Sequence, residues 1–123
     1  MRNTLIWAVA ALVVATPALA EEWDFVLINN TGKEIKQVEV APTGTTNWQK
    51  NKLDADRAPT ALTPGKRGTI HFDKDDNQCK FDVKATFADS TSLIWVNVNI
   101  CDNSFLNLRI KDGAPTFDYN SAR

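Results

Sequence analysis

Asp73, Asp75 and Asn77 stand at alternate positions in the stretch DKDDN of this 123-residue chain. Oxygen ligands at that spacing begin the EF-hand loop, in which carboxylate and amide oxygens surround a hard calcium ion. Such a loop also needs glycine at its sixth position and glutamate at its twelfth. Those positions hold Gln78 and Lys84 here, so the stretch is not an EF-hand. Two readings remain: a looser oxygen site for calcium, built on residues 73–77 with help from Asp102, or a solvated acidic hairpin turn.

Thiols and bases form the second chemical group. Cys79 and Cys101 are the only cysteines, and His71 is the only histidine. Structural zinc sites draw four ligands from cysteine and histidine, and these three residues cannot supply them. Two cysteines in a small exported domain imply a disulfide with one connectivity, closing a loop worth roughly 3 kcal/mol. Nucleophilic hydrolysis needs a base in reach of a serine or cysteine, and His71 is the only conventional one. It lies between Ile70 and Phe72 in an alternating run, which points it away from the face those two share. The expectation is a solvent-facing strand histidine in a protein that is not an enzyme and needs no cofactor.

Trp48 differs from the other tryptophans of the body of the chain. Trp23 and Trp95 lie in strand-like runs, where packing on a sheet is the default. Trp48 sits in a polar segment beside Asn47 and Gln49, either as a plug that folds the segment onto the domain or as an aromatic contact for a protein or glycan.

The first twenty residues, MRNTLIWAVAALVVATPALA, read as a cleaved signal peptide: Arg2, an apolar run over residues 5–15, then Ala18-Leu19-Ala20 before the cut. The apolar run falls short of a membrane span. Residues 21–123 then form one exported domain, periplasmic or secreted, with no membrane insertion expected. They hold 13 basic and 15 acidic residues of mixed order, which gives no electrostatic case for nucleic acid.

The elements that must position these residues are strands. CKFDVKATF alternates apolar and polar residues from Cys79 to Phe87, ADSTS supplies a turn, and LIWVNVNIC returns with Ile94, Val96, Val98 and Ile100 on one face. Matching those faces sets Phe87 opposite Ile94 and Phe81 opposite Ile100. Cys101 is then one residue out of phase with Cys79, which predicts a bulge or a strand end near residues 99–101. WDFVLI, EIKQVEV with an irregularity between Ile35 and Val38, TIHF, FLNLRI and TFDY supply further strands, and Asp112-Gly113 a tight turn. Residues 41–68 carry no convincing strand, only a short helical turn expected around residues 48–53 with Asn47 as its cap.

Six or seven short strands, one long loop and one disulfide define an all-β fold, an antiparallel β-sandwich or small barrel. The succession FVLINNTGKEIKQVEVAPTGTTNW, LTPGKRGTIHF, CKFDVKATFADS and VNIC resembles a family of small exported bacterial β-sandwich proteins of unassigned function. The shared pattern is an Asn-Thr-Gly turn, a Pro-x-Gly segment before a tryptophan, a Pro-Gly turn and a Cys-x-x-Asp strand with a distal cysteine. The resemblance covers most of residues 21–123 and implies a β-sandwich with no catalytic residues to carry over. The function expected from the residues is a non-catalytic binding module, meeting an envelope protein or glycan through Asn47, Trp48 and Gln49. The alternative is a calcium-binding or other metal-binding exported protein using Asp73, Asp75 and Asn77.

Overall fold

The computed structural model describes residues 21–51 and 61–121. The expected signal peptide, its cut after Ala20, and residues 52–60 of the long loop lie outside the described residues. Among the described residues eight strands follow in chain order: β1 (Glu21–Asn30), β2 (Ile35–Pro42), β3 (Gln49–Lys50), β4 (Arg67–Lys74), β5 (Lys80–Phe87), β6 (Ser92–Asn99), β7 (Phe105–Lys111) and β8 (Ala114–Asp118). They form two four-stranded sheets, sheet A in the order β4-β1-β7-β8 and sheet B in the order β3-β2-β5-β6. The chain is thus an all-β sandwich. The strand beyond the seven expected is β3, whose two residues are too few to leave an alternation in the sequence.

One pairing departs from a purely antiparallel sandwich. β1 pairs antiparallel with β4 but parallel with β7, from Val26↔Phe105 to Asn30↔Arg109. Parallel neighbours need a long crossover, and the β5–β6 hairpin in the opposite layer lies within it. The inward stripes of the two sheets meet in one core: Phe25, Leu27, Ile70, Phe72, Leu106 and Leu108 from sheet A face Val40, Phe81, Val83, Phe87, Trp95 and Val98 from sheet B. Phe72 bridges the layers, edge-to-face with Phe25 at 5.8 Å and with Phe81 at 5.0 Å between centroids.

The end of the long loop is pinned by a buried asparagine. Asn29 Nδ2 donates to the carbonyls of Lys33 and Leu62, both at 2.8 Å, while Oδ1 accepts from the Thr31 hydroxyl and N–H. All four capacities of the amide are met in the core, so its burial costs little. Leu62 also exchanges both backbone hydrogen bonds with Ile35.

The β5–β6 hairpin corrects the expected register. Phe81 lies opposite Val98 and Lys84 opposite Ile94, two to three residues from the face-matched pairing. Its connection is three residues, 88–90, closed by Phe87 N–H to Thr91 O at 2.8 Å with Ser90 at φ 72°. A shorter loop brings the return strand in earlier. The bulge falls at Val96 and Asn97, both opposite Asp82, with Asn97 at φ 63°. Before it the inward residues are Leu93 and Trp95, and after it Val98 and Ile100; Ile94 and Val96 face outward. Strand β6 ends at Asn99, the Ile100 N–H still donates to Cys79 O at 2.9 Å, and Cys79 and Cys101 form the disulfide just past both strands with Cα atoms 5.1 Å apart. The irregularity expected in β2 falls between Ile35 and Gln37.

Candidate binding surfaces

The three loop residues Asn47, Trp48 and Gln49 go three ways. Where a helical turn is expected from residue 48, the chain runs extended through β3, with Val40 opposite Gln49 and Glu39 opposite Lys50. Alternation turns Gln49 to the same side as the buried Val40, toward β4. There its Nε2 donates to Asp73 O at 2.8 Å and its Oε1 accepts from Asp73 N–H at 3.1 Å. Asn51, two residues on, donates to Thr69 O at 3.2 Å and accepts from His71 N–H at 3.0 Å. Asn47 is exposed. Trp48 is half-buried, with the Lys84 ammonium 5.2 Å from its ring centroid.

The acidic turn sits at the disulfide end of the sandwich. Asp75 and Asn77 are exposed, Asp73 is partly buried, and a turn closes from Gln78 N–H to Asp75 O at 3.0 Å. Lys74 is 4% exposed: its ammonium lies 4.2 Å from the Trp23 ring centroid and donates to Asp75 O at 3.0 Å. That cation rests on the backbone carbonyl of the residue whose carboxylate a calcium ion would use, and like charges repel. Among the described residues, no three His, Cys, Asp or Glu side chains are grouped to hold a metal ion. Gln49, Asp73 and Asp75 do meet, with Pro42, Lys74, Gln78 and Phe81, around a surface cleft of about 340 Å³. Asn77 is not among its walls.

The outer face of sheet B presents the apolar surface. Lys50, Glu39, Lys84 and Ile94 form one cross-strand row over four strands. Ile94 is 40% and Val96 57% exposed, and Lys84 stands between Ile94 and Trp48. Trp95, between them in sequence, is 1% exposed and donates Nε1–H to the carbonyls of Thr116 at 2.8 Å and Arg109 at 3.1 Å. Sequence alternation misplaces Ile94 and Val96 because both stripes of LIWV are apolar; the larger Trp95 takes the core. Asn51 also goes unnoticed in the sequence, although amides at 47, 49 and 51 are spaced like one face of a strand.

Several ionisable side chains elsewhere are paired on the surface. His71 faces out of sheet A, with Nδ1 hydrogen bonded to Asp24 and Nε2 3.6 Å from Glu22. The Thr91 hydroxyl and then its backbone N–H, with help from Lys33, hold the Asp89 carboxyl down at about 2. No protein-family model matches the chain, and no curated protein matches it. An NMR structure of a protein from Eubacterium rectale superposes on 84% of this chain and 94% of that one, with a TM-score of 0.47 and 15% sequence identity; likeness at that level says nothing about function.

Proposed function

We propose that this protein is a non-catalytic exported binding module of the bacterial envelope, which meets a partner protein through the outer face of sheet B. The observation that carries the reading is the exposure of Ile94 and Val96 on the same face as the half-buried Trp48. Apolar residues scattered singly over a surface need no explanation, whereas exposed aliphatic residues grouped with a tryptophan on one face have the apolar and aromatic character of an interface centre. The Lys84 ammonium lies over one face of the Trp48 ring, which leaves less of the ring for a sugar to stack on and favours protein over glycan. Export is supported by the residue 1–20 pattern and by a disulfide, which persists in oxidising compartments.

The test is an affinity capture from envelope extract with the oxidised domain, beside Ile94→Ser/Val96→Ser and Trp48→Ala copies, followed by titration of the purified partner. The paired serine variant should stay folded and melt within about 8 °C of the parent, because solvent-facing changes are usually within about 0.5 kcal/mol each. Its affinity should fall by roughly tenfold or more, the loss expected at an interface centre. A partner that binds parent and variants equally would refute this surface. Retention of glycan alone would refute the protein partner.

A further inference from the structure

The side-chain amides of Gln49 and Asn51 do for β4 what a neighbouring strand does. Among the described residues β4 is an edge of sheet A, bonded to β1. Ile70, Phe72 and Lys74 turn their side chains inward, and Thr69, His71 and Asp73 alternate with them. In an antiparallel ladder the backbone groups of alternate residues point to opposite edges, so one of these two sets bonds β1 and the other faces outward. The outward set is identified by its partners: Thr69 O, His71 N–H, Asp73 N–H and Asp73 O are all taken by Asn51 and Gln49. A primary amide carries the donor and acceptor of a peptide unit. Asn51 bonds the carbonyl of one residue and the N–H two residues on, as a parallel neighbour would, while Gln49 bonds both groups of one residue, as an antiparallel neighbour would.

We infer that Gln49 and Asn51 are an edge guard, which occupies Thr69 O, His71 N–H and both backbone groups of Asp73 on the outward side of β4 and prevents two copies of this chain from pairing through it. Open edges template pairing, and proteins blunt them in several ways. Here β3 has only two residues, β8 carries Pro115, and β6 is broken by its bulge and has its Asn99 N–H capped by the Tyr119 hydroxyl at 3.0 Å. β4 has eight residues with no proline, and four of its outward backbone groups are met by the two amides.

The occupant of an unguarded edge would be a second β4, because the strand is complementary to itself. Antiparallel pairing about a two-fold axis at His71 sets Thr69 opposite Asp73, so the outward groups of both copies meet. It sets Ile70 opposite Phe72 on the core side. At both ends it sets Arg67 opposite Asp75, a pair of opposite charges.

Light scattering on a sizing column, with amide exchange of His71 and Asp73 as second readout, tests this on the oxidised domain. The parent should have the mass of one chain. Gln49→Ala/Asn51→Ala should shift toward two chains as concentration rises, with several-fold faster exchange of those amides in the dilute monomer. Adding Asp75→Arg should return it to one chain, and adding Arg67→Asp as well should restore two. Gln49→Glu/Asn51→Asp keeps the acceptors and loses the donors, so it should dimerise partially; it decides the matter if the alanine pair does not fold. A monomer at every concentration with unchanged exchange would overturn the inference. So would association that ignores the charge swaps, or a parent that already dimerises through β4.

Discussion

At the scale of single residues, Asp89 carries the clearest pH dependence. The Thr91 hydroxyl and N–H donate to its Oδ1 at 2.6 and 3.0 Å, and the Lys33 ammonium lies 3.3 Å from Oδ2. These partners favour the ionised carboxylate, so its value drops from 3.8 to about 2 in the folded state. A depressed folded value means that the carboxylate contributes stability above the unfolded value and loses it as pH falls through the folded one. The parent should therefore melt higher than Asp89→Asn near neutrality. That difference should shrink between about pH 4 and pH 2. Melting temperatures of both across this range check it, and a difference that stays constant to pH 2 would show that the turn does not depend on the charge.

Pairs of elements are held by a second carboxylate. Asp82 of β5 is buried opposite the bulge in β6, and its Oδ1 accepts from Asn97 N–H at 3.0 Å and from the Thr43 hydroxyl at 2.9 Å. Oδ2 accepts from Gly44 N–H at 3.2 Å, so one side chain fixes both the bulge and the entry to the long loop. Asp82→Ala should cost about 2 kcal/mol, the range for losing hydrogen bonds to a charged group. In a domain of this size that lowers the melting temperature by roughly 8–16 °C. Asp82→Asn retains the Oδ1 acceptor and should lose about half as much. Thermal melts of the two variants check this, and equal losses would mean that the bulge does not need that acceptor. This bulge also marks where the sequence stops being legible. Alternation in CKFDVKATF locates β5 because only one of its stripes is apolar. In LIWV both stripes are apolar, and the choice is made by Trp95 reaching Arg109 and Thr116 on the opposite sheet, a contact no local pattern contains. β3 is hidden for a related reason: its pairing covers two residues, and its main contribution comes through amide side chains that read as ordinary loop polarity.

For the whole molecule, the disulfide closes the hairpin just beyond the last ladder hydrogen bond, between strands that the core already holds together. Phe81, Val83, Trp95 and Val98 are buried irrespective of the sulfurs, and the Ile100 N–H bonds Cys79 O beside them. The link therefore adds little to the folded contacts and acts chiefly by restricting the unfolded chain, where it closes a loop of sequence separation 22. Reduction, or the Cys79→Ala/Cys101→Ala pair, should leave the strand signal of the native protein unchanged and lower its stability by roughly 3 kcal/mol. Urea denaturation distinguishes this from a folded-state effect, because a more open unfolded chain exposes more surface and steepens the dependence on denaturant. The reduced protein should show a lower midpoint with an equal or steeper slope. A shallower slope, or loss of the strand signal without denaturant, would mean instead that the sandwich is incomplete without its sulfur link and that the core alone does not hold β5 and β6 in register.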